Sequence, residues 1–504
     1  MPADALTARP ALRVGVVGGG VSGLVAAREL ALAGAEVLVC EAAERLGGRV
    51  ESAELAGRRV DIGAEAFATR GGHVAELLRE LGIAERAATP APLGSWLVSA
   101  VDGAAAPLPP AGTLGIPAAP LSSATRRVLG LRGALRAAVE PLLPARVGRG
   151  STTIAELVRA RSGAAVLDRL VRPVALGVYS APPERLPLSV LPGLEAEVQR
   201  TGSLTRGARA LRGRTSAAGG AVATLRGGMT ELVTALERAV REAGAEIRTG
   251  VPVAALDRTE SGIALLGDAG EVHARVDAVV LAVPESVARA ILGSPAECAT
   301  ESTVEVLVLA LDRTHPTVAS LVRAPRGTGA LVSAAATGTG PAAGPAGAEG
   351  NATSPQIVAK ALTHISRKWP HATHQDTELV RLSYGRDGAA PATIELDDDA
   401  ALALALRDAA AILGAPLPRE AVQGLARRTW QMPARGERTP VTPPAGVLLA
   451  GDWRSGAGFA AVIPAAQRTA RELLTAHGVC AHTASAAPES AATPLDPSSE
   501  RHPA

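Results

Sequence analysis

Cysteine is scarce in this 504-residue chain: Cys40, Cys298 and Cys480 lie far apart, and none stands in a CxxC spacing. That excludes a disulfide framework and a cysteine-built metal site, and it makes a reducing cytoplasm the expected compartment. Lysine is scarcer still. Only Lys360 and Lys368 occur, so arginine carries almost all the positive charge, a bias expected of a GC-rich genome. Basic and acidic residues nearly balance at 51 against 49, and a net charge of +2 gives no reason to expect nucleic acid as a partner. Nowhere do about 18 apolar residues run on without arginine, glutamate or a Gly/Pro break, so no transmembrane helix is expected and any membrane contact is peripheral, at the inner face. Residues 1–12 carry Asp4 and Arg9 and lack the apolar core of a signal peptide, so no export is expected. No repeat of solenoid period appears. The 9 histidines are scattered, and no Ser/His/Asp or paired-carboxylate constellation stands out, so no catalytic acid or base and no metal ligand is named.

What is present is globular: 47% apolar and 20% charged residues in a chain long enough for about two to four domains. Residues 13–17 read as a buried strand, followed by a glycine turn, a helix to about 32 and a second strand at 36–41, one βαβ unit. From 90 to 220 the pattern turns helical and loop-like, rich in Arg, Leu, Ala and Pro. Sheet signals return after Arg226, with a helix over 230–243, strands at 246–248 and 251–256, a hairpin turn at 267–270 and a strand at 278–282. A strand region begins at 303, interrupted over 327–355 by a Gly/Ala/Pro/Thr run too poor in bulky apolar residues to pack. A last strand at 447–450 leads through Gly451-Asp452 into a helix over 464–476, and the Ala/Ser/Pro/Thr tail at 479–504 is expected to be disordered.

The chemistry begins at Gly18-Gly19-Gly20-Val21-Ser22-Gly23, where GxGxxG falls on Gly18, Gly20 and Gly23 between strand and helix. Gly18 permits the tight turn, Gly20 lets backbone approach a pyrophosphate, and Gly23 lets helix and sheet pack closely. Glu41, at the end of the second strand, stands where a ribose-binding carboxylate is expected, with Ala42 beside it. NAD and FAD share this fingerprint, and the next motif separates them. Arg45-Leu46-Gly47-Gly48-Arg49 resembles the RxGGR element of the FAD-dependent amine-oxidase superfamily, in which Arg49 offsets diphosphate charge. Gly63-Ala64-Glu65-Ala66, after Asp61-Ile62, resembles the loop that faces the isoalloxazine. Leu448-Leu449-Ala450-Gly451-Asp452-Trp453 with Gly456-Ala457-Gly458-Phe459 resembles the superfamily's closing motif. The resemblance places Gly451 and Asp452 near the ribityl chain, Phe459 at the flavin-facing start of the last helix, Val253 beside the adenine and Trp430 against the flavin.

Within that superfamily the middle of the chain resembles the bacterial protoporphyrinogen/coproporphyrinogen III oxidase family. The carriers are Thr224-Leu225-Arg226-Gly227-Gly228-Met229-Thr230, the stretch from Arg172-Pro173 to Gly177-Val178-Tyr179-Ser180, and Ser366-Arg367-Lys368-Trp369-Pro370. Gly458-Phe459-Ala460-Ala461 has the actinobacterial form. One departure is a shortened segment after Trp430. The resemblance implies an α/β fold: a Rossmann-type FAD-binding domain assembled from both chain ends (1–87, 221–300 and 443–478), with a mixed α+β substrate domain at 301–442 and a helical insert at 88–220. The insert faces substrate or membrane. It implies oxidation of a porphyrinogen in haem biosynthesis, coproporphyrinogen III before protoporphyrinogen IX, with FAD as cofactor, dioxygen as acceptor and a ferrochelatase as recipient of the product. Carboxylates at the substrate rim call for arginine, and Arg70, just after the flavin-facing loop, is the first candidate. With two tyrosines and two phenylalanines, Tyr179, Tyr384, Phe67 and Phe459, the chain is poorly supplied for an aromatic amine cage. Another oxidase or desaturase of the superfamily, or a catalytically idle FAD- or tetrapyrrole-binding protein, stays open at this point.

Overall fold

The computed structural model describes residues 11–109, 113–179, 181–215, 222–294, 301–334, 356–386, 389–433 and 439–479. Cys298, Cys480, positions 335–355 of the expected mobile loop and positions 480–504 of the expected tail lie outside those residues.

Five short strands build the central sheet: β1 (Arg13–Val17), β2 (Glu36–Cys40), β3 (Glu246–Arg248), β4 (Ala278–Leu281) and β5 (Val447–Leu449). They lie parallel in the order β3-β2-β1-β4-β5. The apolar central strands need cover on both faces, and they have it. On one side α1 (Val21–Leu32), α2 (Thr230–Glu242) and α3 (Phe459–Ala476) bury Leu24, Leu30, Leu232, Leu236, Ile463 and Leu473 against Val14 and Val16. On the other, a three-stranded antiparallel sheet (Ala255–Thr259, Gly262–Leu266, Val272–Val276) brings Ile263, Leu265 and Val276 onto Val17, Val279 and Leu281. Both ends of the chain therefore share one core. Helix α3 starts five residues ahead of the expected position at 464. Proline is well placed at the start of a helix, which invites that boundary, but the amides of Ala461 and Val462 already bond the Gly458 carbonyl.

A seven-stranded sheet forms the second layer, in the order Val422–Met432, Ser302–Asp312, Thr377–Tyr384, Ala361–His364, Gly329–Ser333, Trp96–Ser99 and Ala105–Pro107. Helix Asp398–Leu413 covers one face with Ala401, Ala405, Ala409 and Ile412 over Leu307, Leu362, Val380 and Leu382. This layer corrects two boundaries. The 88–220 stretch is not all helical insert, because Trp96–Ser99 pairs in parallel with Gly329–Ser333 and antiparallel with Ala105–Pro107. The same pairing makes 329–333 a strand rather than the start of a mobile loop. The remaining insert, 113–215 where described, is helical and buries Ile154, Leu167, Leu170 and Val171 around Leu97. No helix among the described residues is long and apolar enough to cross a membrane.

Candidate cofactor and substrate site

The turn between β1 and α1 has the steric demands the motif anticipates. Gly18 has φ +105°, and its amide bonds the Cys40 carbonyl at 2.8 Å, tying β1 to β2. A methyl group on Gly23 would sit 1.9 Å from the Gly18 carbonyl oxygen, so helix and turn approach as only glycine allows. Gly20 differs: a methyl group there would meet nothing nearer than the Cα of Gly48, at 4.0 Å. Gly20 pairs with Gly47 in an isolated bridge, and the Gly47 amide bonds the Gly19 carbonyl at 2.9 Å. Two glycine backbones thus face each other across a gap at the start of α1. Gly20 caps α1 without a side-chain hydrogen bond, and no acidic residue stands in the first turn, which holds Val21 and Ser22. Uncapped amides and a positive helix end are suited to a diphosphate.

Glu41 closes the far side. Its carboxylate accepts the Gly19 amide at 2.6 Å and the Ala43 amide at 2.9 Å, which fixes it at the mouth of the turn next to Ala42. The Val251 amide bonds the Glu41 carbonyl at 2.9 Å, so the segment leading to buried Val253 runs alongside.

From the other end of the chain, Asp452 forms an ion pair with Arg49. Gly451 stands between β5 and the short helix Asp452–Ser455, with φ +110°, and the Trp453 indole N–H donates to the Val283 carbonyl at 2.9 Å. Gly456 and Gly458 both have positive φ and open space where a side chain would be. Gly458 caps α3 with no side-chain hydrogen bond, and Phe459 plugs into the core below. Two helix N-termini therefore lack side-chain caps, each beside glycines with room on their open side. Open glycine cradles, uncapped amides and the Glu41 carboxylate form a donor and acceptor set that fits a flavin dinucleotide.

The loop expected to face the flavin ring is held from below and behind. A methyl group on Gly63 would strike the Arg49 carbonyl at 2.1 Å, and the Ala64 amide bonds that carbonyl at 3.0 Å. Glu65 accepts from Lys368 Nζ at 2.5 Å and lies 3.4 Å from Arg381, which also donates to the Gly63 carbonyl at 2.8 Å. Burial opposes ionisation of Glu65, but Lys368 and Arg381 outweigh it and hold its carboxyl below the usual range. Ala66 is half-buried, packed beside Ile62. Asp61 accepts the Met229 amide at 3.0 Å, pinning the turn before α2. Burial, reinforced by nearby Glu65 and opposed by that amide and by Arg381, pushes the Asp61 carboxyl up to about 6. The Trp430 indole donates to the Ile62 carbonyl at 2.9 Å and carries Arg428 over its ring at 5.1 Å, so it braces the same loop.

The other face of the seven-stranded sheet packs Val304, Val306, Val308 and Ala310 against Leu55, Val60 and Ile62, and is clamped at two further places. Arg381 with Glu65 fixes it to the flavin-facing loop, and Leu331 packs under Gly177 of the insert, where a methyl group would meet it at 2.4 Å. Between them lies a half-exposed strip of Ala361, Thr363 and Ser383. Arg70 is exposed in the turn before helix His73–Glu80 and has no ion-pair partner among the described residues. Arg126, Arg127 and Arg132 are exposed on the insert, while Arg136 is engaged by the carbonyls of Arg161 and Ala160. Lys368, Arg381 and Asp61 are additions to the residues singled out in the sequence. Lys368 is visible only as a member of a longer motif, and Arg381 lies in none of the motifs quoted. Asp61 heads the Gly63 motif, the one signal that was available. Among the described residues no group of three His, Cys, Asp or Glu side chains is arranged to hold a metal.

Fold and site together define a flavoprotein whose cofactor domain is closed by both chain ends. A family model described as flavin containing amine oxidoreductase matches residues 21–474, and the chain belongs to that family. Within it, the relatives that match over half of this chain or more include proteins named coproporphyrinogen III oxidase. The chain is 30% identical to a coproporphyrinogen III oxidase of Mycobacterium bovis over 485 residues, 92% of this chain and 97% of that protein. It is 25% identical to a coproporphyrinogen III oxidase of Bacillus subtilis over 410 residues, 78% of this chain and 81% of that one. A crystal structure of an Exiguobacterium protein provisionally named a protoporphyrinogen oxidase superposes with a TM-score of 0.75 at 22% identity, covering 93% of this chain and 100% of that one.

Proposed function

We propose that the chain binds FAD and oxidises a porphyrinogen to the porphyrin in haem biosynthesis, taking coproporphyrinogen III in preference to protoporphyrinogen IX and dioxygen as the electron acceptor. The carrying observation is the likeness of nearly the whole chain to the mycobacterial coproporphyrinogen III oxidase, together with a sheet face left half-exposed beside the flavin-facing loop. When bound, the flavin supplies a hydride acceptor at the meso carbons of the tetrapyrrole.

The residues do the rest by position. The Gly18–Gly23 turn and α1 hold the diphosphate, with Glu41 on the ribose and Asp452 toward the ribityl chain. The N-terminus of α3 favours negative charge on its ligand. Ala361 offers apolar contact to a flat macrocycle, Thr363 and Ser383 offer hydroxyls, and Arg70, with no ion-pair partner among the described residues, is the candidate cation for a propionate. Aromatic placement also argues against an amine substrate. Phe67 and Phe459 lie in the cofactor-domain core, and Tyr384 is buried beneath helix Asp398–Leu413, so no two Tyr or Phe rings are free to cage an amine.

The test is anaerobic titration of the purified flavoprotein with coproporphyrinogen III, protoporphyrinogen IX and putrescine, following loss of flavin absorbance and rise of porphyrin fluorescence. Bleaching by coproporphyrinogen with porphyrin formed in proportion supports the proposal. Bleaching by putrescine alone, or porphyrin binding without any flavin reduction, overturns it.

A further inference from the structure

Of the 51 lysines and arginines in the chain, only Lys360 and Lys368 are lysine, and the two flank one strand, Ala361–His364. Lys368 ends the short helix that follows it and is committed to Glu65 of the flavin-facing loop. Lys360 comes immediately before it, next to the half-exposed strip of Ala361, Thr363 and Ser383. Its amide donates to the Ser383 carbonyl at 2.8 Å, and its carbonyl accepts the Val332 amide at 3.0 Å, so strands on both sides fix its backbone. The residue is 4% exposed, which is costly for an ammonium.

Two arginines act on it. Arg381, the register partner of Thr363, reaches the Gly63 carbonyl and Glu65, and Arg386, past the end of strand Thr377–Tyr384, donates to the Ala359 carbonyl. Helix Asp398–Leu413 contributes Asp408, whose carboxylate is taken up by the Val358 and Ala359 amides at 3.1 and 2.8 Å, and Tyr384 is buried beneath that helix. Strand Gly329–Ser333 brings no titratable side chain. Burial, reinforced by Arg386 and Arg381, pushes the Lys360 ammonium down from 10.5 to about 8. Arginine grips a carboxylate better than lysine does and keeps its proton at any working pH, whereas a buried lysine can release one. In a chain that otherwise relies on arginine, a buried amine beside the strip is suited to proton exchange.

We propose that Lys360 accepts the pyrrole N–H proton released when the porphyrinogen is oxidised. The inference rests on the substrate reading given above. Loss of a hydride from a meso carbon to the flavin leaves one positive charge on the tetrapyrrole. Breaking a pyrrole N–H bond removes that charge: the bonding pair stays in the ring as part of a C=N bond, and the proton passes to the neutral Lys360 amine. The ammonium then returns the proton to solvent before the next cycle, and Arg381 and Arg386 favour that return by disfavouring its charge.

With two lysines in the chain, ε-13C-lysine labelling gives two side-chain resonances, assigned by the one that K360M or K368M removes. In the flavin-loaded protein the Lys360 resonance is expected to titrate near 8 and to move when coproporphyrin III is added. A midpoint at the ordinary 10.5, or a resonance unmoved by saturating coproporphyrin III, overturns the proposal. Stopped-flow reduction of the flavin by coproporphyrinogen III without oxygen reads the chemistry. The wild-type rate is expected to rise with pH and level off above about 8, because the neutral amine is the accepting form. K360M and K360R are both expected to react about 100-fold more slowly, to lose that rise, and to keep substrate affinity within about threefold. Flavin content reports folding of each variant, and the wild-type resonance titration decides the matter if neither variant loads flavin. A K360R rate like wild type assigns Lys360 a charge-only role, and a K360M rate like wild type removes it from the reaction; either overturns the proposal while leaving the substrate reading intact. Wild-type flavin that no porphyrinogen reduces overturns the substrate reading, and this inference with it.

Discussion

Arg49 and Asp452, separated by 403 positions, form an ion pair beside the glycine turn that opens the chain. The first and last motifs of the cofactor domain are thereby tied side chain to side chain, with Asp452 largely buried and Arg49 partly exposed. Removing the carboxylate with Asp452→Ala loses both this tie and a contact proposed for the ribityl chain. Flavin affinity is expected to fall about 10- to 100-fold, the range for losing a charged hydrogen bond, read by titrating apoprotein with FAD and following fluorescence quenching.

Two glycines of one motif are expected to respond differently to the same substitution. In Gly23→Ala the methyl group lands 1.9 Å from the Gly18 oxygen, so soluble, folded protein is expected to be lost. In Gly20→Ala it enters the open gap opposite Gly48, where the protein itself has room and φ is −72°. The apoprotein is expected to keep its thermal midpoint while FAD binding weakens about 100-fold. Equal midpoints for both variants contradict this division of labour.

Asp61 gives a pH signature. Its carboxyl is raised from 3.8 to about 6 by burial, so the folded state holds protons more tightly than the unfolded chain between those values. Its contribution to stability therefore falls as pH rises from about 4 to about 6 and is level above. Asp61→Asn removes the buried charge while keeping an acceptor for the Met229 amide. It is expected to stabilise the protein by about 1–3 kcal/mol at pH 8, with the gain vanishing near pH 4, as measured by denaturant unfolding.

Glu65 behaves in the opposite sense. Lys368 and Arg381 hold its carboxyl below the usual range, so their pairing stabilises the fold at neutral pH and is lost as pH falls through that lowered value. Lys368→Met leaves Glu65 with Arg381 alone. A loss of about 2–4 kcal/mol is expected at pH 7, shrinking in acid, where the wild-type pair is itself discharged.

Arg70 separates substrate binding from flavin chemistry. Exposed and without an ion-pair partner among the described residues, it holds nothing together, so Arg70→Ala is expected to leave flavin content and kcat within about twofold. KM for coproporphyrinogen is expected to rise about tenfold through loss of a charge-assisted bond. An unchanged KM removes Arg70 from the substrate site.

Much of the cofactor side was legible because its determinants are local. Gly18, Gly20, Gly23 and Glu41 sit at fixed spacing within one βαβ unit; Gly18 and Gly23 answer steric needs that backbone geometry imposes, and Gly20 leaves room. The join of Trp96–Ser99 to Gly329–Ser333 was not legible: a four-residue strand pairs with a partner more than 200 positions away, and nothing nearby marks the pairing. The bonds from Lys368 and Arg381 to Glu65 were hidden for the same reason. Glu65 and Lys368 belong to recognisable motifs and Arg381 to none, and only tertiary packing brings the three together. At α3 the error came from applying a sound rule too strictly, since Pro464 stands inside the helix, not at its start.

Because β5 and α3 are supplied by residues 447–476, a ribosome has made most of the protein before the nucleotide-binding layer can close. Until then β4 is an uncovered parallel edge, and the apolar flank of α1 has no α3 to cover it, an invitation to mispairing during synthesis. Cofactor loading is in that sense a late event of biogenesis, and truncation anywhere upstream of Val447 leaves the whole nucleotide fold unfinished.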